Sequence, residues 1–314
     1  MRRLSILLAL AGVAVIALLL LRFDAAQVVG AALAVGWQGF LLLMLWQGAL
    51  FVLLGLAWSC VLPGVRPGLL IWGRMVRDAA TTCLPFSPVG GYVVGARAVT
   101  LQGVAWPTVA AGTVVDVTAE IMAQLLFSLF GLAVLLLARP GSALAGPLAI
   151  GLATAAALVA LAYAQRARIG RGVQALGLKL LGNWFRARGG LDHLQAEMLR
   201  LYASPRRLLL ATALHLTGWC ATGGATWLSL RLLGHEADPV AILAMEALLD
   251  ALIGAAFLVP GAAGVQEAGY VGLGAVFGVP PDLALGISLL RRAKDVAWGL
   301  PILGLWQWRE VRRL

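Results

Sequence analysis

LVPGAAGVQEAGY, residues 258–270, places the carboxylate Glu267 just after a Pro-Gly break. The preceding residues, 240–259, are apolar and long enough to cross a bilayer, since about 20 such residues span the roughly 30 Å hydrocarbon core. A helix breaker and an acid at this depth are either the loose end of a helix or the lining of a polar site. The surrounding sequence favours the second interpretation.

Composition indicates an integral membrane protein. Of the 314 residues, 61% are hydrophobic and 12% are charged, whereas a soluble domain carries about 25% charged residues. Further apolar segments of spanning length lie at residues 36–60, 108–138, 148–164, 208–233 and 282–308. They leave no room for a soluble catalytic domain. We therefore predict an all-α, polytopic bundle that forms one integral membrane domain over residues 1–314.

The positions of lysine and arginine predict the topology. Residues 165–207 carry a large excess of these residues, which marks a basic cytoplasmic loop, and 191–208 within it has the pattern of an amphipathic helix. The first apolar segment, residues 5–21, could be a secretory signal. We favour a retained helix, because the segment is longer than usual signals and Arg22 follows directly. Both termini are then cytoplasmic.

Two interruptions of the apolar pattern are the central feature of the sequence. Residues 77–107 contain too many helix breakers for one span, and Pro85 in this stretch lies 175 residues before Pro260. The order of helix, Pro/Gly break, glycine-rich piece, Gly-Val and long span occurs twice. Charge counting makes the first interruption enter from the cytoplasm and the second from the periplasm. We predict two interrupted or re-entrant hairpins in an inverted repeat, as in transporters whose broken segments meet near the midplane.

Charged residues in the long spans are the site candidates. Asp116 and Glu120 are four residues apart and share a helix face, as do Arg291 and Asp295 at the same repeat offset. A charge at the centre of a spanning helix costs at least about 2.5 kcal/mol, so these residues should pair or line a pathway.

The expected arrangement sets Asp116 against Arg291 or Arg292, with Glu267 and Arg97 on the two hairpins. Broken backbone survives in a membrane only when protein covers it or water reaches it, so Glu267 should face a protected, hydrated interior. The alternative is a stripe of ion pairs that only holds helices together.

The remaining polar residues have plainer interpretations. Arg74, Arg77 and Asp78 are most simply interfacial, with arginines that snorkel to the membrane surface. Glu246 and Asp250 are as easily structural as functional. We interpret His215 as a hydrogen-bonded packing residue, and we predict three free, buried cysteines: Cys60, Cys83 and Cys220.

Several classes of site are excluded by spacing. No His, Cys and acid cluster has the spacing of metal ligands, and no G-x-S-x-G elbow or GKS phosphate loop occurs. The net charge of +10 resides mainly at the ends of spans, without aromatic interleaving on a soluble face. We therefore expect no catalytic residue, no metal, no cofactor and no nucleic-acid partner.

Two motifs resemble a known family. LPFSPVGGYVVGARAVTLQGV, residues 84–104, and PGAAGVQEAGYVGLGAVFGVPPDLALGISLLRRAKDVAWGLP, residues 260–301, are similar to the flippase-like superfamily of the lysylphosphatidylglycerol synthase transmembrane region, and most like its hopanoid-biosynthesis-associated HpnL type. By motif match, with Glu120 added from its spacing, the site candidates are Gly90, Gly91, Arg97, Asp116, Glu120, Gly264, Glu267, Arg291 and Asp295.

The resemblance implies a non-enzymatic, multi-pass protein of the bacterial inner membrane that moves a hopanoid or a related lipid, with hopanoid or anionic phospholipid as its partner. The aminoacyltransferase activity of larger relatives is not expected. The alternative is a membrane scaffold that docks lipid-biosynthesis enzymes at the cytoplasmic face through residues 165–207. An intramembrane enzyme using Glu267 and Asp116 as acid and base ranks last, because no nucleophile accompanies them.

Overall fold

The structure is a computed structural model that describes residues 33–83, 88–138, 140–141, 143, 145–164, 190–256, 259 and 262–312. The described residues are helical and contain no strand, which confirms the predicted all-α class. The helices are α1 (Gly36–Val61), α2 (Pro67–Cys83), α3 (Pro88–Thr100), α4 (Trp106–Ala138), α5 (Ala145–Ala164), α6 (Gly190–Tyr202), α7 (Pro205–Leu232), α8 (Pro239–Ala255), α9 (Val265–Phe277) and α10 (Pro281–Val311).

Prolines mark the starts of five of these helices: α2, α3, α7, α8 and α10. Proline suits the first position of a helix, because its missing N–H has no partner there and its φ is already helical. The predicted apolar segments at 108–138 and 282–308 correspond to α4 and α10. The first interruption starts later than predicted, since residues 77–83 still belong to α2. Pro85, Pro260, the segment 5–21 and residues 165–189 of the predicted basic loop lie outside the described residues.

Helices α2 and α3 form a first hairpin, and α8 and α9 form a second. In the first hairpin the two backbones touch, because Gly73 and Gly95 face each other and leave no room for a side chain between them. In the second hairpin, Gly269 of α9 packs closely on Leu249 of α8. Each hairpin precedes a long helix, α4 after the first and α10 after the second.

Each hairpin also packs against the long helix of the other half of the chain. Helix α2 lies on α10, where Cys83 approaches Gly299, and α8 lies on α4, where Gln124 donates a hydrogen bond to the carbonyl oxygen of Asp250 at 3.0 Å. The helices that precede the hairpins, α1 and α7, pack together as well. The two halves are therefore interleaved rather than side by side.

The open ends of the two hairpins lie at opposite ends of α10. The second hairpin leads directly into the start of α10 at Pro281, whereas Arg97 near the end of the first hairpin pairs with Glu310 at 2.9 Å. These points are separated by almost the whole helix of 31 residues, about 46 Å at 1.5 Å per residue. The closed end of each hairpin, where its two helices are connected, approaches the middle of α10. In the second hairpin, Arg292 donates a hydrogen bond to the carbonyl oxygen of Ala262, and in the first, Cys83 lies against Gly299.

Apolar side chains pack on either side of this middle layer. One cluster joins Leu135, Ile242 and Ile287 near the open end of the second hairpin, and another joins Leu62, Leu70 and others near that of the first. Among the described helices, α1 and α4 are long and apolar enough to cross a membrane. The two ion-paired clusters of the protein interior lie between these apolar regions.

Replacing Gly95 by alanine is expected to destabilise the first hairpin. A methyl group there would lie 2.6 Å from Cβ of Arg77 and 2.8 Å from the carbonyl oxygen of Gly73, so α2 and α3 must separate. Overpacking of this kind costs about 1–3 kcal/mol and should lower the midpoint of thermal unfolding in detergent. The matched control is Gly272→Ala in α9, where no described atom lies within 4 Å of the added methyl group. Equal midpoints for Gly95→Ala and Gly272→Ala would contradict the close approach.

Candidate functional site

A polar cavity of about 370 Å³ lies between the two hairpins. Helices α1, α2, α3, α4, α7, α8, α9 and α10 contribute to its wall, together with Ala256, Val259 and Ala262 from the closed end of the second hairpin. Its ionisable lining residues are Arg74, Arg77, Asp78, Tyr92, Glu120, His215, Asp250, Arg291, Arg292, Lys294 and Asp295. A cavity lined by this many charges is unusual for the interior of so apolar a chain.

The first ion-pair cluster joins α2 to α4 and consists of Arg74, Arg77, Asp78, Asp116 and Glu120. Arg77 Nη2 donates to both oxygens of Glu120 at 2.7 Å, and Arg74 Nη2 donates to Oε1 of the same carboxylate at 3.1 Å. Arg74 also binds Asp78 at 2.9 Å, while Arg77 approaches Asp116 at 3.6 Å. Glu120 therefore lies at the centre of a buried network, and two guanidinium groups compensate its charge.

The placement of Arg74 and Arg77 overturns a prediction. These arginines are only 6% and 8% exposed, so the interfacial, snorkelling arrangement expected from the sequence is wrong. The reason is tertiary: α2 packs on α10 and α3, and its arginines point into the cavity toward α4. The sequence of the adjacent turn had suggested that these arginines lie at a membrane surface, but α2 places them inside the protein.

The second ion-pair cluster joins α8 to α10 and consists of Glu246, Asp250 and Arg291. Arg291 Nη1 binds Glu246 Oε2 at 3.0 Å, and Nη2 approaches Asp250 Oδ1 at 3.4 Å. The other oxygen of Glu246 accepts hydrogen bonds from Thr226 and Tyr270, each at 2.6 Å. Glu246 is completely buried, so these three partners replace its contacts with water.

The signs of the two clusters are reversed. In the first, the hairpin arm α2 supplies the arginines and the long helix α4 supplies the acids; in the second, α8 supplies the acids and α10 the arginine. A tyrosine from the other arm of each hairpin bonds the central carboxylate: Tyr92 to Glu120 at 3.2 Å and Tyr270 to Glu246. Tyr92 also lies under the guanidinium of Arg77, 4.1 Å from ring centroid to Cζ.

Neither tyrosine was among the sequence candidates, although the chain carries a signal for both. Each lies in a Gly-Tyr-Val tripeptide, at residues 91–93 and 269–271, which are 178 residues apart. The repeat offset of 175 residues, taken from Pro85 and Pro260, falls three residues short of this match. An alignment with two compensating three-residue gaps between the breaks and the Gly-Val pairs would have found the two tyrosines.

Glu267, the carboxylate of residues 258–270, is 1% exposed and lies inside the protein. Its Oε2 accepts the backbone N–H of Gly264 at 2.8 Å, which caps the start of α9, and Arg292 pairs with the same carboxylate. Gly264 has φ +77°, a conformation that glycine adopts without strain. Arg292 lines the cavity, so Glu267 acts behind the wall as a helix cap and counter-ion.

Of the other predicted site residues, only some lie at the cavity. Asp116 binds His215 and approaches Arg77, so the expected pairing with Arg291 or Arg292 is wrong. Asp295 lies on the cavity wall, 3.7 Å from Lys294. Gly90 and Gly91 lie in α3, where Gly91 permits the close approach of α2, and neither lines the cavity. Arg97 is 47% exposed in its pair with Glu310, at the open end of the first hairpin.

The arrangement is suited to binding a polar group rather than a metal. No group of three or more potential metal ligands occurs within the described part of the chain. Four side chains on the cavity wall keep a buried polar atom with no hydrogen-bond partner among the described residues: Arg74 Nη1, His215 Nδ1, Trp219 Nε1 and Asp250 Oδ2. Two donate, one accepts and one can do either, so the wall can complement a group that carries both donors and acceptors.

Removing the carboxylate charge of Glu120 is expected to destabilise the protein strongly. Glu120→Gln would leave Arg77 and Arg74 buried without their shared counter-charge, a change that costs about 3–5 kcal/mol for buried pairs. Thermal unfolding in detergent measures the effect. The control is Glu236→Gln, whose partner Arg231 is 47% exposed, and where the loss should stay below about 1 kcal/mol. Similar midpoints for the two variants would show that the network does not support the fold.

Comparison with known proteins identifies the family to which this architecture belongs. A family model, described as the lysylphosphatidylglycerol synthase transmembrane region, matches residues 4–304. Comparisons with curated proteins and with solved structures gave no match. The match supports a membrane protein with transmembrane helices and a lipid-related function. The chain belongs to the family of the lysylphosphatidylglycerol synthase transmembrane region.

Proposed function

We propose that this protein moves a lipid across or out of the membrane by passing the head group through the charged cavity between the hairpins. The observation that supports this most directly is the cavity itself: ionised side chains of both signs line a space deep within an apolar chain. Buried charge of this kind is expensive, and in membrane proteins it commonly marks a pathway for a polar substrate. The protein would act as a transporter and not as an enzyme.

The proposal includes an inverted repeat built from two re-entrant hairpins. Its support is the interleaved packing, α2 on α10 and α8 on α4, together with open ends that lie at opposite ends of α10. Transporters of this type form their site where broken segments from both sides meet near the midplane. Here both closed ends approach the middle of α10, at Arg292 and Gly299, which are seven residues and about 10 Å apart.

In this mechanism the head group enters the polar cavity while the apolar tail remains in the bilayer. A volume of about 370 Å³ suits a head group but not a complete lipid. Arg74, Asp250 and His215 would supply the donor and acceptor atoms that are otherwise without partners. Moving one hairpin relative to the long helices would then expose the cavity to one side of the membrane and close it to the other.

We further propose that the lipid is a hopanoid, as the resemblance to the hopanoid-associated type implies, or an anionic phospholipid. The location would be the bacterial inner membrane, with several spans and both termini in the cytoplasm. Docking of lipid-biosynthesis enzymes through residues 165–207 stays a prediction, since 165–189 lie outside the described residues. Helix α6, in the remainder of that segment, packs on α4 through the hydroxyl pair of Tyr202 and Thr118.

The transport proposal predicts that removing one charge from the cavity wall slows lipid movement more than removing an equivalent charge elsewhere on the same helix. Asp295→Asn should slow lipid movement about tenfold, the effect of losing one hydrogen bond to a charged group. The assay follows acyl-labelled phosphatidylglycerol in vesicles of phosphatidylethanolamine and phosphatidylglycerol, read with a membrane-impermeant quencher. Asp295 is suited to this test because its pair with Lys294 is partly exposed and long, at 3.7 Å.

Asp282→Asn, at the start of α10 and outside the cavity lining, is the matched control and should retain the wild-type rate. Both variants must elute as monodisperse protein before they are compared. Equal rates for Asp295→Asn and the wild type would argue against a path through the cavity.

The hopanoid assignment makes a separate prediction in cells. If hopanoid leaves the inner membrane through this protein, deletion of its gene should lower the hopanoid content of outer-membrane extracts while total hopanoid stays constant. Quantitative mass spectrometry of the two membrane fractions measures this. An unchanged distribution would remove hopanoid as the substrate without affecting the transport assay with phosphatidylglycerol.

A further inference from the structure

His215 of α7 is a cavity residue whose only role in the proposed head-group path is to supply one donor or acceptor atom. Only 1% of its surface is exposed, and its Nε2 lies 2.9 Å from Oδ1 of Asp116. Its Nδ1 has no hydrogen-bond partner among the described residues. Leaving a buried polar atom unsatisfied costs about 1–3 kcal/mol, so packing alone is a poor explanation for this residue.

The tautomer of His215 follows from its partner. An ionised carboxylate can only accept hydrogen bonds, so Nε2 must carry the proton that is donated to Asp116. In the neutral ring Nδ1 then carries a lone pair and no proton. The side chain of His215 lines the cavity. This nitrogen can take up a proton without breaking the bond to Asp116.

The charges of the first ion-pair cluster do not balance among its own residues. Its three carboxylates, Asp78, Asp116 and Glu120, face two guanidinium groups, Arg74 and Arg77, which leaves the cluster with one excess negative charge while His215 is neutral. An imidazolium at His215 would balance the cluster. In a buried environment an uncompensated charge is costly, so the cluster provides a physical reason to bind a proton there.

Neighbouring helices contribute charges of both signs around the ring. Helix α1 contributes no charged residue but places the Cys60 thiol beside Asp116. The ionisable groups of the other surrounding helices are Arg74, Arg77 and Asp78 on α2, Tyr92 on α3, Asp116 and Glu120 on α4, Glu246 and Asp250 on α8, and Arg291, Arg292, Lys294 and Asp295 on α10. The carboxylates of α8 pair with Arg291. A proton on His215 therefore changes the charge balance of the first cluster.

We propose that His215 is a proton-binding site that couples lipid movement to the proton gradient, an inference that rests on the proposed transport function. A hydronium ion that reaches the cavity from the acidic side donates a proton to Nδ1, where an N–H bond forms, and leaves a water molecule. When the cavity opens to the other side, the imidazolium returns that proton to water. Imidazole suits this role because its charge ordinarily changes between about pH 5 and 8.

The test measures the final distribution of acyl-labelled phosphatidylglycerol between leaflets of vesicles made from phosphatidylethanolamine and phosphatidylglycerol, with about pH 6 outside and about pH 8 inside. Coupling of one proton to one lipid shifts the leaflet ratio by up to about tenfold for each pH unit. The wild type should show this shift. His215→Gln keeps a donor toward Asp116 but cannot bind a proton, so its leaflet ratio should not respond to the gradient.

His193→Gln, an exposed histidine on α6, is the matched control and should retain the shift. A gradient response in His215→Gln equal to that of the wild type would overturn the proposal, as would a wild type that moves lipid without any response. A wild type that moves no lipid at equal pH would instead refute the transport function, and the coupling with it.

A second measurement requires no change at His215, in case that variant does not fold. The chain has three histidines, so ring-labelled protein in nanodiscs should give three imidazole signals by nuclear magnetic resonance. His193→Gln and His235→Gln each remove one signal and thereby assign the third. We expect that third signal to move to the imidazolium position as the pH is lowered. A ring that stays neutral throughout would overturn the proposal.

Discussion

Buried charges that must be paired are the constraint on which this structure depends. An uncompensated ion in a protein interior costs several kcal/mol, and unsatisfied backbone in hydrocarbon adds a comparable cost for each group. Two sets of contacts reduce these costs. Ion pairs join each hairpin to the long helix that follows it, as Arg77 joins Glu120. Each hairpin also packs on the long helix of the other half, and these contacts include the pair of Arg97 with Glu310 and the hydrogen bond from Gln124 to Asp250. The interleaved packing thus surrounds the buried charges with protein.

The reversal of sign between the clusters determines which charges each helix presents to the cavity. An ion pair is equally well compensated whether the hairpin or the long helix supplies the cation. The arginines of the cavity wall come from α2 and α10, and its carboxylates come from α4 and α8 as well as from Asp78 on α2 and Asp295 on α10. Tyr92 and Tyr270 each hold the central carboxylate of one cluster. Such a space presents hydrogen-bond donors and acceptors together.

Much of the helical framework could be predicted from the sequence, because hydropathy and prolines are local signals. The segments predicted at 108–138 and 282–308 differ from α4 and α10 by at most three residues at either end. The burial of Glu267 also followed from its position after a break, since a carboxylate at that depth needs protein around it. Gly264 and Arg292 supply that environment, although capping by Glu267 was not foreseen.

The sequence by itself determined that this is an all-helical membrane protein with carboxylates and arginines inside its apolar segments. It could not determine which charges meet. Asp116 finds His215 rather than Arg291, and Arg74 and Arg77 enter the cavity rather than the membrane surface, because α2 packs on α10 and α7 packs on α4. Helical spacing shows only which residues share a face. The partner on the opposite face depends on how helices far apart in the chain pack together, and that information appears only in the folded molecule.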